Sequence, residues 1–372
     1  MTAIKVKANP QNLKWAREES GFSIHDIADH LKISEETLKE WEQSGEDIHF
    51  AKLEKLAKKY KRQVAVFFLE KTPKKTKKPN DFRNLNTDVG GLHEETLLAI
   101  RRTSRYLEVY RDTQEREVIE EQYKWLSELQ QNKQSQPKYL REILEITNDS
   151  QKLRKNQSFA FWRKRIEEKL SIFIFQFAIG ENELDGFSYI DDGKPYGITI
   201  NKEISENRKV FTLFHEIAHI IDGQAGLCLT TELGSTGFNI ESKCNTFAAQ
   251  FLMPVELMKS PNDFDELSSF ADYLGVSREA YLIRAKELHK VSDETFNKLI
   301  MIVRKINDKY KVKIKRNKSD KFGIPRDVIS KSQRGEKFFE FVIDRYNSNK
   351  MSPTLARDLL DIKMVGFGRP PK

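Results

Sequence analysis

Residues 208–222 read RKVFTLFHEIAHIID and contain the pattern HExxH. On an α-helix, positions i and i+4 share a face, so His215 and His219 can reach one metal ion. Glu216 then projects beside that ion, where its carboxylate can accept a proton from bound water. The rest of the segment is mostly apolar, which predicts a buried helix whose three ionisable groups need a partner. A divalent metal satisfies all three groups; the alternative is two buried core histidines with the glutamate as their partner.

A catalytic zinc site needs a third protein ligand and an open fourth position. The segment ESKCNTFAAQFLMP (241–254) predicts a second helix, which Pro254 ends. Glu241 is the candidate third ligand, and Asn245 lies one turn further along the same face. The rival third ligand is Glu232, in the Gly- and Thr-rich segment TTELGSTGFN.

Three other residues near these helices could ligate the metal or orient a ligand. Asp222 follows His219 by one turn and either orients a ligand imidazole or ends the helix as a surface carboxylate. Cys228 and Cys244 are interpreted as small buried or neutral residues rather than as ligands. Because they are the only two cysteines and are not paired as CxxC, they form neither a disulfide framework nor a structural zinc site of that kind.

Three β-rich runs separated by turn residues precede the HExxH segment. They are SIFIFQFAI (171–179), GFSYIDDG (186–193) and YGITIN (196–201). The simplest arrangement for three such runs is a small three-stranded antiparallel sheet. Helical periodicity dominates the rest of the chain, so the expected fold class is α+β and mostly helical.

The N-terminal part of the chain predicts a five-helix domain. Ser23 and Ser34 are favourable N-caps for the second and third helices, and two more helical runs lie near 50–60 and 64–69. Helix, short turn and helix at this spacing is typical of a helix-turn-helix domain. The candidate DNA contacts lie at the start and on the exposed face of the third helix: Ser34, Thr37, Lys39 and Gln43.

The charge distribution leaves the role of this N-terminal domain open. Residues 1–70 hold 12 Lys and Arg against 12 Asp and Glu, and the third helix carries four glutamates against Lys39. The net charge of the whole chain is +8, and residues 301–372 contribute 19 Lys and Arg against 8 Asp and Glu. Double-stranded DNA and a docked protein are therefore both candidate partners, and the basic segment 71–78 and the basic tail are candidate phosphate contacts.

These patterns predict five segments along the chain. They are a helix-turn-helix domain (1–70), a basic linker (71–90), a helical connector (91–170), a peptidase domain (171–310) and a basic C-terminal helical extension (311–372). No run of apolar residues is long enough to span a bilayer or to act as a signal peptide, so a cytoplasmic protein without a membrane partner is expected. The oligomeric state stays open.

The sequence RKVFTLFHEIAH followed by ESKCNTFAAQFLMP resembles the ImmA/IrrE family of metallopeptidases. Members of that family carry R-x-x-F-T-L-x-H-E-x-x-H and, downstream, E-x-x-A-N-x-F-A-x-x-L-L-M-P. Cys244 stands where the family usually has alanine. The N-terminal sequence NLKWAREESGFSIHDIADHLKISEETLKEWE resembles an XRE-type helix-turn-helix, and the order of the segments resembles the long fused members of the family.

The resemblance implies a gluzincin-like peptidase with one zinc ion (Zn2+) per chain. The implied ligands are His215, His219 and Glu241, with Glu216 as the general base. The donor that stabilises the tetrahedral oxyanion is left open among four residues: Tyr273, Tyr281, Arg208 and Asn245.

Three functions from different classes remain open. The first is a regulatory zinc endopeptidase that cleaves a transcriptional repressor or another partner protein. The second is a DNA-binding transcriptional regulator in which the peptidase fold mainly binds a partner. The third is the antitoxin of a two-gene module, which would neutralise a toxin by contact.

Overall fold

The computed structural model describes residues 4–76, 92–132, 135–147, 158–180, 183–190, 193–223, 227–229, 237–314 and 325–362. The chain divides into two compact units. Unit 1 comprises Met1–Lys78 with Arg83–Ser104, and unit 2 comprises Pro79–Phe82 with Arg105–Lys372. Unit 1 therefore extends along the chain beyond the expected boundary at residue 70, while the division into five segments stays a prediction. No helix in the described ranges is long and apolar enough to cross a membrane.

Unit 1 has the predicted helical architecture. In chain order its elements are β1 (Lys5–Val6), α1 (Pro10–Glu18), α2 (Ile24–Leu31), α3 (Glu35–Ser44), β2 (Ile48–His49), α4 (Phe50–Tyr60), a 3-10 helix (Val64–Phe68) and the start of α5 (Glu94–Thr113). The fifth predicted helix is thus the 3-10 helix, and the two short strands pair antiparallel. Arg101 of α5 donates hydrogen bonds to the carbonyl oxygens of Tyr60 and Lys61, which ties α5 to the end of α4.

The turn between α2 and α3 is built from two serine caps and a left-handed residue. Ser23 accepts a hydrogen bond from the Asp26 amide, and Ser34 accepts one from the Thr37 amide, as their N-cap positions require. Lys32 ends α2 with φ 53° and ψ 59°, a conformation that favours glycine. The predicted helix-turn-helix therefore forms, with a strained non-glycine residue at its turn.

Unit 2 contains the remaining helices and a four-stranded sheet. Before the sheet come α6 (Arg116–Gln122), α7 (Lys124–Gln131), α8 (Gln136–Ile143) and α9 (Ser158–Lys169). The central elements are β3 (Phe173–Phe177), β4 (Leu184–Tyr189), β5 (Gly197–Asn201), α10 (Glu206–Asp222), β6 (Leu227–Leu229) and α11 (Gly237–Leu252). The C-terminal helices are α12 (Phe264–Leu274), α13 (Arg278–Glu287), α14 (Asp293–Ile314), α15 (Arg326–Arg334), α16 (Glu336–Asn347) and α17 (Pro353–Leu360).

The sheet differs from the predicted antiparallel arrangement. Its strand order is β3-β5-β4-β6, and β3 runs parallel to β5 with Phe173 opposite Gly197. Only the β4–β5 and β4–β6 pairs are antiparallel. The physical reason is that β3 is buried nearly throughout, and the run FIFQF is almost continuously apolar, as in strands covered on both faces.

The basic segment 311–334 is helical over part of its length. Helix α14 continues to Ile314, and α15 occupies 326–334. Arg334 at the end of α15 is 2% exposed and donates a hydrogen bond to the carbonyl oxygen of Leu359. A basic residue here is a buried hydrogen-bond donor, which composition alone could not reveal.

Helix α10 lies at the centre of unit 2, between the sheet and α11. An aromatic cluster fixes its back face: the Phe214 and Phe251 rings stack with centroids 4.1 Å apart, and Trp162 packs edge-on against both. Burying three large aromatic side chains supplies much of the hydrophobic stabilisation at this contact. The opposite side of α10 carries the ionisable groups of the HExxH pattern.

Candidate functional site

Three ionisable side chains of α10 are completely buried. His215, Glu216 and His219 are each 0% exposed. The helix begins after the N-cap Ser205 and ends at Gly223, whose φ of 69° forms a left-handed C-cap. The predicted helix over 208–222 is therefore present, and its burial requires that the three polar groups find partners inside the protein.

The two imidazoles and one carboxylate converge on a single point. The Nε2 atoms of His215 and His219 are 3.0 Å apart. The Glu241 carboxylate lies 3.1 Å from His215 Nε2 and 3.4 Å from His219 Nε2 through its two oxygens. One donor atom from each residue lies within 4.8 Å of the others, which is close enough for one cation to bind all three.

The second helix reaches the site from the more exposed side. Glu241 and Asn245 stand one turn apart on α11; the Glu241 side chain is 35% exposed and Asn245 is exposed. The Asn245 Oδ1 atom lies 2.9 Å from His215 Nδ1. The Glu241 side chain is therefore less buried than the two histidines of α10.

Hydrogen bonds in the cluster displace its pKa values in opposite directions. Burial opposes ionisation of Glu241, but the hydrogen bonds from His215 and His219 outweigh it and lower the pKa of Glu241 to about 2. Burial likewise disfavours the charged form of His219, but the neighbouring Cys244 and Glu241 raise the pKa of His219 to about 11. The cluster thus attracts positive charge, whether a proton or a metal ion supplies it.

Glu216 lies beside this cluster in a different environment. Burial raises the pKa of the Glu216 carboxyl, while His219, His215 and Ser188 act in the opposite direction. Among the described residues, neither Glu216 oxygen has a hydrogen-bond partner of normal geometry, and the same is true of the Ser188 hydroxyl. A buried carboxylate with a raised pKa next to a cation site is typical of a general base or acid.

The other residues predicted around the metal fall in different places. Asp222 is exposed at the end of α10, and the buried Nδ1 of His219 has no hydrogen bond to it. Arg208 is ion-paired with Asp185 of β4, with half of the arginine side chain exposed. Cys244 is buried, and burial raises the pKa of its thiol.

Three of the four candidate oxyanion donors are already engaged, namely Asn245, Arg208 and Tyr281. The Tyr281 hydroxyl donates to the carbonyl oxygen of Lys259 and accepts from the amide of the same residue. Tyr273 is 39% exposed. Glu232 lies outside the described residues, and nothing is described of the Cys228 side chain.

Ser188 of β4 acts on the Glu216 carboxyl and was not among the residues singled out from the sequence. It is a small polar residue in LDGFSY, a strand that is buried along its whole length. Such a position was a usable signal, because a buried hydroxyl needs a hydrogen-bond partner. It could not be assigned to Glu216 without knowing which face of β4 packs on α10.

On unit 1, the candidate DNA contacts occupy the exposed part of α3. Ser34 and Thr37 form the cap of the helix, with their hydroxyl oxygens 3.1 Å apart. Lys39 and Gln43 are exposed, and Lys39 forms an ion pair with Glu35 at 3.7 Å. The positions of these four residues are compatible with either DNA or a protein as the partner of α3.

One glutamate of α3 does not face solvent. Arg17 holds Glu42 by two hydrogen bonds of 2.7 and 2.9 Å, and the Glu42 side chain is 7% exposed. The charge of Glu42 is therefore neutralised in the domain interior, so this glutamate would not repel the phosphates of a bound DNA.

Two parts of the chain match known family models. Residues 167–286 match the Peptidase_M78 model, described as the IrrE N-terminal-like domain. This part of the chain is therefore similar to the IrrE N-terminal-like domain. Residues 13–67 match a helix-turn-helix model, so the predicted fusion of an XRE-type domain with an IrrE-like domain is confirmed. The IrrE-like match includes α10 and α11 and ends before α14. A comparison with curated proteins found no match.

Proposed function

We propose that the protein is a zinc-dependent endopeptidase that acts on a partner protein in transcriptional regulation. The observation that carries this proposal is the convergence of His215, His219 and Glu241 beside the buried carboxylate of Glu216. The IrrE-like match supports a metallopeptidase, and the helix-turn-helix match supports a regulatory setting.

The donor set fits zinc. Two imidazole nitrogens only 3.0 Å apart repel each other through their lone pairs unless a proton or a cation lies between them. Two histidines and one carboxylate are a common ligand set of catalytic zinc, and ligand distances of about 2.0–2.2 Å agree with donors this close together. We propose one zinc ion per chain, held by His215, His219 and Glu241.

Bound there, zinc would polarise a peptide carbonyl and lower the pKa of a water molecule toward about 7. We propose that Glu216 would take a proton from the attacking water and hand it to the leaving amine, so that one carboxyl group would act first as base and then as acid. Burial raises the pKa of Glu216, which favours the protonated form that would act as the acid.

Stabilisation of the oxyanion falls to groups that are not engaged elsewhere. Asn245 is bonded to His215, and the Tyr281 hydroxyl is bonded to the backbone of Lys259. Arg208 is ion-paired with Asp185, so these contacts favour Tyr273 as the donor.

The proposed substrate is a transcriptional repressor or another regulatory protein, and the proposed location is the cytoplasm, where such proteins act. The helix-turn-helix domain would bring the peptidase to that substrate by binding DNA or the protein itself. The alternative function is a transcriptional regulator or an antitoxin whose peptidase fold binds a partner without cleaving it. Exposure of Glu241 and Asn245 agrees with either function, because both require an accessible site.

The Glu216→Gln variant separates these functions. Partner proteins would be captured with the full-length chain, and zinc-loaded wild type and variant would then be compared for cleavage by mass spectrometry. We expect cleavage by the wild type and zinc binding without cleavage by Glu216→Gln, because the amide keeps the size of the side chain but is no base. Equal cleavage by both proteins would contradict the mechanism. Stable binding with no cleavage by the wild type would favour the regulator or antitoxin.

A further inference from the structure

The face of β4 that packs on α10 can be followed residue by residue. A Cβ atom added at Gly186 would lie 2.8 Å from Cγ2 of Thr212, so this face of β4 at Gly186 points at α10. Side chains two residues apart on a strand share a face, which places Ser188 on the same side as Gly186.

The spacings of strand and helix match along this contact. Two residues of a strand span about 6.7 Å, and four residues of a helix span about 6 Å. Glu216 follows Thr212 by four residues, as Ser188 follows Gly186 by two. The partner of Ser188 across the contact is therefore Glu216, in agreement with the effect of Ser188 on the pKa of that carboxyl.

Both groups are completely buried and complementary. Ser188 and Glu216 are each 0% exposed, and among the described residues neither has another hydrogen-bond partner. An ionised carboxylate can only accept hydrogen bonds, whereas a hydroxyl can donate one. Leaving both groups unpaired in the interior would be costly, so a small rotation that joins them is favoured.

We propose that Ser188 is a positioning residue for Glu216. Its hydroxyl donates a hydrogen bond to one carboxylate oxygen and fixes the side chain so that the other oxygen faces the cluster of His215, His219 and Glu241. The contact itself is independent of the proposed function, whereas its consequence for proton transfer rests on that function. Two experiments keep these parts separate.

The first experiment is a double-mutant cycle on unfolding, which needs no substrate. Ser188→Ala, Glu216→Met and the double variant of the full chain would be compared in urea. We expect Ser188→Ala to raise the unfolding constant about fivefold with Glu216 present and less than about twofold in the Glu216→Met background.

Ser330→Ala is the matched control, because Ser330 is a buried serine that donates to the carbonyl oxygen of Leu360. Its effect should be the same in both backgrounds. Equal effects of Ser188→Ala in both backgrounds would overturn the proposal.

The second experiment tests positioning with zinc-loaded protein and labelled casein as the probe. Ser188→Ala should keep zinc, lower kcat about 10- to 100-fold and leave KM nearly unchanged, whereas Ser188→Thr should restore much of kcat because it keeps the hydroxyl. Coupling in unfolding together with an unchanged kcat would reduce Ser188 to a structural contact and overturn the positioning role. If the wild type cleaves neither casein nor captured partners, the peptidase proposal fails and the positioning role fails with it. In that case the double-mutant cycle on unfolding still tests whether Ser188 and Glu216 are hydrogen-bonded.

Discussion

Asn245 of α11 fixes the orientation of His215 of α10, with its Oδ1 atom 2.9 Å from the imidazole Nδ1. An amide oxygen accepts hydrogen bonds, so this contact assigns the proton to Nδ1 and leaves the lone pair on Nε2. The Nε2 atom is the one that faces His219 and Glu241. One residue on the neighbouring helix thus determines which nitrogen of His215 is available to a metal.

Replacing Asn245 should therefore weaken zinc binding without removing a ligand. We expect Asn245→Ala to lower zinc affinity about 10- to 100-fold, the usual effect of losing a partner behind a ligand histidine. Asn245→Asp should retain most of the affinity, because a carboxylate oxygen accepts the same hydrogen bond. Competition with a chromophoric chelator measures both effects. Equal losses in the two variants would show that the Nδ1 hydrogen bond is not what Asn245 supplies.

The ligands themselves should be required more strictly. Wild-type protein should bind about one zinc per chain, and His219→Ala or Glu241→Ala should lose most of it, because three protein ligands define the site. Glu232→Ala is the matched control, since Glu232 is the rival ligand from the sequence, and it should keep the metal. Metal analysis after dialysis decides the matter. Loss of zinc in Glu232→Ala with retention in Glu241→Ala would contradict the ligand assignment.

The sequence predicted the parts of the site that depend on local spacing. His215 and His219 share a face because they are four residues apart on one helix, and this follows from helix geometry alone. The sequence also offered Glu241, but only as one of two candidate third ligands. Its position beside the two histidines depends on the packing of α11 on α10, which spacing does not contain, and Glu232 lies outside the described residues.

Predictions from the sequence were wrong or incomplete where the structure depends on contacts between distant parts of the chain. The strands were located within a few residues, but the predicted antiparallel orientation was wrong for β3, which pairs parallel with β5 and is buried nearly throughout. The same limit hid the ion pair of Arg17 with Glu42, whose members are 25 residues apart. It also hid the role of Ser188, which depends on the packing of β4 against Glu216 of α10.

Placing a glycine at the left-handed position that ends α2 should stabilise the helix-turn-helix domain. Lys32 holds φ 53°, which a side chain makes unfavourable, so Lys32→Gly should stabilise the unit by up to about 1 kcal/mol after the entropy cost of glycine. Hydrogen–deuterium exchange of the amides in 24–44 of the full chain should slow accordingly. Lys32→Ala removes the charge but keeps a Cβ atom, and it should not slow exchange. An equal gain with alanine would assign the effect to charge rather than to backbone strain.

DNA binding, if it occurs, should draw much of its affinity from outside α3. The linker residues Lys71, Lys74 and Lys75 are exposed, while Lys39 of α3 is paired with Glu35. Each phosphate contact contributes about −0.9 to the slope of log affinity against log salt. Replacing the three linker lysines with glutamine should therefore weaken binding equally on all sequences and make the salt slope shallower by up to about 2.7, three times the contribution of one contact.

The glutamates of α3 provide the controls for this charge argument, because the structure divides them by environment. Glu36→Gln should strengthen binding on every sequence, since Glu36 is exposed and repels phosphates. Glu42→Gln should instead destabilise the domain, because it breaks the buried pair with Arg17. Gln43→Ala should change which sequence is preferred, as expected for a base contact rather than a phosphate contact. Salt titrations of the full chain on two unrelated duplexes measure all of these effects. An unchanged slope in the linker variant would show that the linker lysines make no phosphate contacts and that α3 carries the binding despite its glutamates.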